Sequence, residues 1–286
     1  MTIEKPCTAC SWTRERQKAC CYESNIKLFY EASDRGVWSL GSRLVLKERS
    51  ASPPNFDAVN IRYLEEKTTI PVPNIVEEWG EENGRYFIIT NRVRGQPLSA
   101  AWASMSNIAK DRVAQQTADF LLQLRQLCSP RLQSLGGKPI YSAFLFSSDF
   151  GIPHGPFSTD DELWEEMAKS LEGVPQRARQ RLRERMPCAA PYTFTHGDLT
   201  TLNIMVEDGN LTGIIDWEDS GYYPVWWEYA CTGIGLSQHD VEWKTLLRKY
   251  MPQHEDARQF WRQFWMLSKY PNLDDAGAAL LGDLDQ

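Results

Sequence analysis

The chain has 286 residues, of which 42% are apolar and 24% are charged, and this composition excludes a disordered, collagen-like or low-complexity protein. Its 38 acidic and 31 basic residues give a net charge of −7, which disfavours a nucleic-acid partner because such partners are bound largely through their phosphates. The sequence contains no apolar run of about 18 residues, so we expect no transmembrane helix and no membrane partner. The first residues lack the apolar core of a signal peptide, so we expect a cytoplasmic protein.

Residues 1–21 are polar and are predicted to form an N-terminal extension. They contain a C-x-x-C motif, Cys7 and Cys10, followed by the adjacent pair Cys20 and Cys21. Two thiolate pairs can complete a tetrahedral zinc site, so zinc binding is one interpretation. Free thiols are the other, and we favour it because adjacent cysteines chelate awkwardly and no second C-x-x-C follows.

Residues 22–97 have the pattern of a small β-rich lobe with one helix. Three β-rich runs, at residues 26–30, 37–40 and 43–47, are separated by turns at Gly36 and Gly41 and predict an antiparallel meander. A helix is predicted over residues 56–67 with Asn55 as its N-cap. Prolines then impose an extended path at 70–73, and residues 86–90 predict a buried strand. Turn residues at 91–97 indicate a hinge.

Residues 98–286 are predicted to form a larger, mainly helical lobe. An amphipathic helix is expected over 108–128, and a capping box at Thr159 and Glu162 predicts a helix over 160–171. Further helices are expected over 175–186 and from residue 240 onward. The acidic residues after 273 predict a frayed tail, or alternatively a region that attracts a cationic amine. The predicted fold class is therefore α+β, with two lobes.

A hairpin is predicted within residues 192–217, the most informative part of the chain. Asp208-Gly209 between two apolar runs is a strong signal for a two-residue turn. With that turn, Val206 faces Leu211 and Ile204 faces Gly213. Asn203 and Asp216 then emerge together at the open end of the hairpin.

Asp198 precedes this end of the hairpin, so the pattern predicts that three oxygen-bearing side chains converge. Such oxygens suit Mg²⁺, which is held by one or two carboxylates together with substrate phosphates. A further acid can accept the proton of an attacking hydroxyl. The order H-x-D-x-x-x-x-N, followed by an aspartate on the next strand, is used in phosphoryl transfer.

These motifs resemble the aminoglycoside phosphotransferase family, which has a protein-kinase-like fold, and they are similar to its fungal branch. The resemblance rests on residues 196–203, His-Gly-Asp-Leu-Thr-Thr-Leu-Asn, and residues 214–218, Ile-Ile-Asp-Trp-Glu. Shorter matches occur in order at 43–47, 69–73, 93–95, 221–224 and 227–229, so the resemblance covers about 22–250. It implies a two-lobed fold with a small antiparallel-sheet N-lobe, residues 22–97, and a larger helical C-lobe, residues 98–286.

The resemblance also implies an ATP- and Mg²⁺-dependent phosphotransferase that acts on a hydroxylated small molecule. Asp198 is then the catalytic aspartate, and Asn203 and Asp216 hold Mg²⁺. The nucleotide-binding residues implied are Lys47 at the phosphates, Asp57 as the partner of this lysine, and the backbone of Asn91, Arg92 and Val93 at the adenine. Asp57 departs from the family pattern, which has the longer glutamate there. The phosphate-covering turn, residues 34–42, also lacks a G-x-G-x-x-G motif.

Three alternatives to a small-molecule kinase are open. A protein kinase is disfavoured because Gly197 replaces the arginine beside the catalytic aspartate and because only seven residues separate Asp216 from Pro224. A catalytically silent nucleotide-binding or scaffold protein is the second alternative, and a metal-dependent phosphohydrolase is the third. His196 is expected to be structural. The acceptor, the choice between ATP and GTP, and the oligomeric state are left open.

Overall fold

The computed structural model describes residues 25–286, so the cysteine motifs within 1–21 lie outside the described residues. The chain forms two compact units. The first contains residues 25–50 and 76–92, and the second contains residues 51–75 and 93–286. The lobe boundaries at 22–97 and 98–286 stay a prediction. The helix after the third strand, which the sequence assigns to the small lobe, packs within the second unit.

The first unit is a five-stranded sheet, and the predicted meander of its first three strands is confirmed. The strand order is β1-β2-β3-β5-β4, and the paired strands β1 to β3 and β5 run antiparallel. The strands are β1 (Ile26–Ala32), β2 (Arg35–Leu40), β3 (Leu44–Ser50), β4 (Ile75–Gly80) and β5 (Arg85–Asn91). Strand β4 was not predicted, because two glutamates interrupt its apolar run.

The second unit is mainly helical, as the sequence predicts. Its helices are α1 (Asp57–Lys67), α2 (Leu98–Ala101), α3 (Asn107–Leu124), α4 (Ala143–Phe146), α5 (Asp160–Ala168), α6 (Gln176–Glu184), α7 (Trp227–Cys231), α8 (Gln238–Leu247), α9 (Glu255–Leu267) and α10 (Asp275–Asp285). Short 3₁₀ turns follow at Trp102–Ser104, Leu135–Gly137 and Lys169–Leu171. No helix in the described part of the chain is both long and apolar enough to cross a membrane.

Two three-stranded sheets accompany these helices. One has the order β10-β9-β6 and the other β11-β8-β7. Their strands are β6 (Gln96–Pro97), β7 (Cys128–Ser129), β8 (Tyr192–Thr195), β9 (Ile204–Glu207), β10 (Asn210–Ile214) and β11 (Gly221–Pro224). All four residues of β8 and of β11 are buried, so these two strands run through the core of the unit.

Several helix boundaries differ from the prediction for local reasons. The helix predicted over 108–128 ends at Leu124, because Cys128 pairs with Thr193 of β8 in a short strand. Asn55 is not the N-cap of α1. The cap position is Phe56, and the Asn55 side chain accepts a hydrogen bond from the Asp57 N–H at 2.6 Å.

Two other helix starts are set by their caps. The capping box at Thr159 and Glu162 is confirmed, although regular α-helix ends at Ala168 and continues only as a 3₁₀ turn. The predicted frayed acidic tail is wrong. Asp274 caps α10 by accepting a hydrogen bond from the Gly277 N–H, and Leu284 near its end is fully buried.

Candidate active site

The hairpin of β9 and β10 carries the predicted site residues at its open end. Asp208 and Gly209 at its tip both have positive φ, 51° and 72°, as a type I′ turn requires. Val206 faces Leu211 as predicted. Ile204, however, faces Ile214 rather than Gly213, because a bulge between Leu211 and Gly213 adds one residue to β10.

The hairpin nevertheless brings the two predicted metal ligands to its open end. The Ile215 N–H donates to the Asn203 carbonyl at 3.0 Å, and Asp216 is the next residue. Asp216 has φ of +68°, a left-handed conformation that non-glycine residues rarely adopt. Such local strain is concentrated at functional sites, where surrounding contacts maintain it.

Asn203 binds Asp198 directly. Its Nδ2 donates to the Asp198 carboxylate Oδ2 and to the Asp198 carbonyl, both at 2.9 Å. The turn between them is closed by hydrogen bonds from Thr200 N–H to Asp198 O and from Asn203 N–H to Thr200 O. We call residues 198–203 the catalytic loop. Because the amide nitrogen holds Asp198, the amide oxygen is the atom of Asn203 that could bind a metal.

Burial dominates the electrostatics of Asp198. It raises the pKa of this carboxyl above its usual range, and the nearby Asp216 raises it further. The charge of Lys244 and the hydrogen bond from Asn203 act in the opposite direction but do not cancel the rise. The carboxylate of Asp198 is therefore a stronger base than an exposed aspartate, which suits proton acceptance.

His196 has a structural role, as expected. It is fully buried, its Nδ1 accepts a hydrogen bond from the Asp198 N–H at 3.1 Å, and its Nε2 lies 3.0 Å from the Ile215 carbonyl. A carbonyl only accepts, so Nε2 carries the proton and Nδ1 does not. The ring thus joins the two strand ends on which the site is built.

Glu228 on α7 binds the main chain of the two residues that precede Asp198. Its Oε2 accepts from the His196 N–H at 2.7 Å, and its Oε1 accepts from the Gly197 N–H at 3.2 Å. The side chain is only 4% exposed, and burial raises its pKa, although the hydrogen bonds from the N–H groups of His196 and Gly197 and the charge of Arg125 oppose the rise. The sequence signal for this residue is an acid inside the aromatic run 226–229, since an acid in an apolar run must find partners when buried.

Helix α1 is tied to the segment after Asp216. Asp57 is 1% exposed, and its Oδ1 accepts a hydrogen bond from the Trp217 N–H at 2.9 Å. Asn60, fully buried, donates from Nδ2 to the carbonyls of Trp217 and Ser220, at 2.7 and 3.1 Å. Sequence reasoning missed Asn60, because an asparagine in a helix carries no pattern of its own.

The other predicted nucleotide-binding residues are distributed over both units. Lys47 lies in β3 of the first unit, between Val37 of β2 and Ile88 of β5. Asn91 ends β5, and Arg92 follows it, donating its N–H to the Arg43 carbonyl at 2.7 Å. Val93 begins the following stretch of the second unit.

The oxygen pair of Asn203 and Asp216 fits Mg²⁺ chemically. Mg²⁺ is bound by one or two protein oxygen ligands with water and substrate phosphates completing its shell. Among residues 25–286, no group of three or more His, Cys, Asp and Glu side chains is arranged to hold a metal ion. A site made of one amide oxygen and one carboxylate supplies the two protein ligands that Mg²⁺ needs, and it does not require a group of three such side chains.

Comparison with known families decides the class of the chain. The pattern of the phosphotransferase enzyme family matches residues 35–264, most of the sequence. The chain belongs to this phosphotransferase family. Lys47, Asp57 and the catalytic loop lie within the matched range. No curated protein matches the chain.

Solved phosphotransferase structures share its fold. The chain is similar to APH(2″)-IIa in its streptomycin–ATP ternary complex, at 15% identity and a TM-score of 0.56, covering 91% of this chain and 90% of that one. It is similar to aminoglycoside 2′-phosphotransferase-IIIa in its GDP complex, at 17% identity and a TM-score of 0.57, covering 93% and 94%. It is also similar to a thermostable APH(4)-Ia mutant in complex with AMP-PNP and hygromycin B, at 16% identity and a TM-score of 0.56, covering 91% of this chain and 92% of that one. These likenesses confirm the protein-kinase-like α+β fold.

Proposed function

We propose that this phosphotransferase family member transfers the γ-phosphate of ATP to a hydroxyl group of a small molecule with the help of Mg²⁺. The proposal is carried by one observation, the hydrogen bond that holds Asp198 to Asn203 at the hairpin end from which Asp216 emerges. The nucleotides bound in the similar structures, ATP, GDP and AMP-PNP, support a nucleoside triphosphate as the donor.

Asp198 acts as the proton acceptor in this proposal. The acceptor oxygen forms a bond to the γ-phosphorus, the bond from that phosphorus to the bridging oxygen of the leaving diphosphate breaks, and the hydroxyl proton passes to the Asp198 carboxylate. Asn203 fixes this carboxylate through Oδ2. Bound Mg²⁺, held by Asn203 and Asp216, would neutralise phosphate charge.

Lys47 contacts the phosphates in this proposal, and the backbone of Asn91, Arg92 and Val93 meets the adenine. Asp57 was expected to pair with Lys47. Its hydrogen bond to the Trp217 N–H gives it a second role, which is to hold the residue after Asp216 in place. The division into an N-lobe of 22–97 and a C-lobe of 98–286 belongs to the same proposal, as do the fungal branch and the cytoplasmic location.

A small acceptor is favoured over a protein. The chain passes from Asp216 through a turn to the buried strand β11, where Gly221 to Pro224 pair with β8. This connection holds no exposed segment long enough for a regulatory phosphosite. The similar structures contain streptomycin, kanamycin, gentamicin and hygromycin B, all hydroxylated small molecules. Identities of 15–18% support this class of acceptor and no single member of it.

The test is phosphate transfer from ATP to a panel of hydroxylated amines, sugars and antibiotics, followed by phosphorus NMR. We expect Asp198→Asn to slow transfer by roughly 10²–10⁴-fold, because the proton acceptor is lost. Mg·ATP affinity, measured by calorimetry, should change little. Asp208→Asn, at the exposed tip of the same hairpin, is the matched control and should transfer at the wild-type rate. Wild-type transfer by Asp198→Asn would refute the role of Asp198.

A second variant tests the metal ligand. Asparagine tolerates the left-handed conformation of Asp216, so Asp216→Asn should fold while losing the negative ligand. We expect ATP affinity to lose most of its dependence on Mg²⁺. Unchanged Mg²⁺ dependence would exclude Asp216 as a ligand. ATP binding without transfer to any acceptor or to water would favour the silent nucleotide-binding alternative.

A further inference from the structure

Helix α8 contacts the catalytic loop through two buried side chains. Asp240 Oδ1 accepts a hydrogen bond from the Thr201 N–H, and Trp243 Nε1–H donates to the Leu199 carbonyl, both at 2.9 Å. Leu199 and Thr201 are each 3% exposed. The helix therefore binds the main chain of the loop at two points between Asp198 and Asn203, where water does not compete.

Lys244 lies one helical turn after Asp240 and forms an ion pair with it. Its Nζ is 3.2 Å from Asp240 Oδ2 and 2.5 Å from the carbonyl of Ile234, to which it donates. Asp240 Oδ2 also accepts from the Leu236 N–H at 3.1 Å. The Asp240 side chain is 1% exposed and the Lys244 side chain is 4% exposed. Both partners of this ion pair are therefore buried.

A buried ion pair does not by itself explain stability, because apolar residues of the same volume often stabilise a core as well. An apolar pair, however, could not accept the N–H of Thr201. A carboxylate at 240 can, and a buried carboxylate requires a balancing charge. The pair is therefore explained by the need of the Thr201 N–H for a buried acceptor rather than by the packing of the core.

We propose that the Asp240–Lys244 pair positions the catalytic loop for phosphoryl transfer, with Asp240 holding the loop main chain and Lys244 supplying the balancing charge. Both are positioning residues that act through Asp198 and Asn203. The inference rests on the proposed function.

The experiment compares Lys244→Met, Asp240→Asn and the double variant, with water or an identified hydroxylated compound as acceptor. Lys244→Met leaves the Asp240 carboxylate without its partner, so the loop should shift. We expect kcat to fall roughly 10²-fold, as a misplacement of about 1 Å does. The KM for ATP should change less than kcat, because the loop carries only one of the proposed nucleotide-side residues, Asn203, and neither Lys47 nor Asp216.

The double variant distinguishes a pair from two separate residues. Asparagine at 240 can still accept the Thr201 N–H through its amide oxygen and carries no charge. We therefore expect the double variant to turn over at least about tenfold faster than Lys244→Met alone. A double variant no faster than Lys244→Met would overturn the proposal.

Two controls separate positioning from general stability. Lys249→Met makes the same substitution at an exposed site just beyond α8 and should leave kcat unchanged. Leu284→Ala removes a buried side chain from α10 and lowers stability without touching the loop. All variants are assayed well below their melting temperatures. If Leu284→Ala lost as much kcat as Lys244→Met, the effect would be one of stability, and the proposal would fail.

Amide hydrogen exchange tests the positioning independently of activity. The N–H groups of Thr201 and Leu236 should exchange faster in Lys244→Met than in wild type, and at wild-type rates in Lys249→Met. Unchanged exchange at both amides would contradict the proposal even if kcat fell. A wild-type protein that neither binds nor turns over Mg·ATP would instead refute the proposed function. The exchange result would still decide whether the Asp240–Lys244 pair holds the catalytic loop in place.

Discussion

Several buried polar side chains around the catalytic loop bind main-chain groups. Glu228 binds the N–H groups before Asp198, Asp240 binds one after it, and Asn60 binds two carbonyls after Asp216. A side chain that satisfies buried main-chain groups contributes most by avoiding the cost of leaving them unpaired. The position of each catalytic group is therefore set by residues that do not themselves react.

Glu228 offers a test at the level of one residue. In Glu228→Gln, an NH₂ group replaces one of the two oxygens that face the N–H groups of His196 and Gly197. We expect the free energy of unfolding to fall by about 1–3 kcal/mol, as when a buried donor loses its acceptor. The urea midpoint measures this loss. Glu184→Gln, an exposed glutamate at the end of α6, is the control, and an equal loss there would contradict the argument.

His154 predicts a pH effect outside the candidate active site. It is 4% exposed, with Nδ1 2.8 Å from Glu166 Oε1 and Nε2 3.0 Å from the Ser148 hydroxyl. Burial lowers its pKa, although the hydrogen bond and the charge of Glu166 oppose this. The unfolded chain therefore takes up a proton that the folded chain resists as pH falls below about 6.5, and stability decreases in that window.

His154→Gln should remove this part of the acid sensitivity. Melting temperatures measured between pH 7.5 and 5 should fall less steeply in the variant than in wild type, whatever the difference at pH 7.5. His239→Gln, at an exposed position of α8, should keep the wild-type slope. Parallel pH profiles for wild type and His154→Gln would show that this histidine does not contribute.

At the level of elements, helix α1 and the segment after Asp216 form one structural part. The helix contributes Asp57 and Asn60 from successive positions of one face, and both bind the main chain of 217–220. Any displacement of α1 therefore changes the path of the chain next to Asp216. This explains why α1 packs within the second unit although its neighbours in sequence are strands of the first.

Variants of Asn60 test this connection. Asn60→Ala removes the donor to two buried carbonyls, and we expect a loss of about 2–3 kcal/mol in the free energy of unfolding. Asn60→Asp should lower the free energy of unfolding further, because a carboxylate would face the same two carbonyls. Denaturant unfolding measures both. The control is Asn74→Ala, since the exposed side chain of Asn74 binds Glu65, and its free energy of unfolding should stay within about 0.5 kcal/mol of wild type. A larger loss in Asn74→Ala than in the Asn60 variants would refute the connection between α1 and residues 217–220.

The elements with a regular pattern could be predicted from the sequence. The meander of β1 to β3, the capping box of α5 and the turn of the β9–β10 hairpin depend on neighbouring residues, so local reasoning finds them. The bulge in β10, the end of α3 at Leu124 and the roles of Asn60 and Asp240 depend on partners distant in sequence. Asn60, for example, finds its partners at residues 217 and 220. No local pattern contains that information.

For the whole molecule, nucleotide binding should raise thermal stability. A ligand that binds only the native state stabilises it by about 2.7 kcal/mol at 100 times its Kd. We expect ATP with Mg²⁺ to raise the Tm by several degrees, and ATP with EDTA to do so much less. A parallel titration with GTP tests which base is preferred. No shift at millimolar nucleotide would contradict nucleotide binding and with it the proposed function.

The catalytic loop is held by charges that lie away from solvent, at Glu228 and at the Asp240–Lys244 pair. Dissolved salt screens exposed charges beyond about 8 Å at physiological ionic strength but affects buried charges much less. The geometry around Asp198 should therefore be insensitive to ionic strength. At saturating ATP, any salt dependence of kcat/KM for the acceptor would then report the charge of the acceptor, so a salt titration would indicate whether it is cationic.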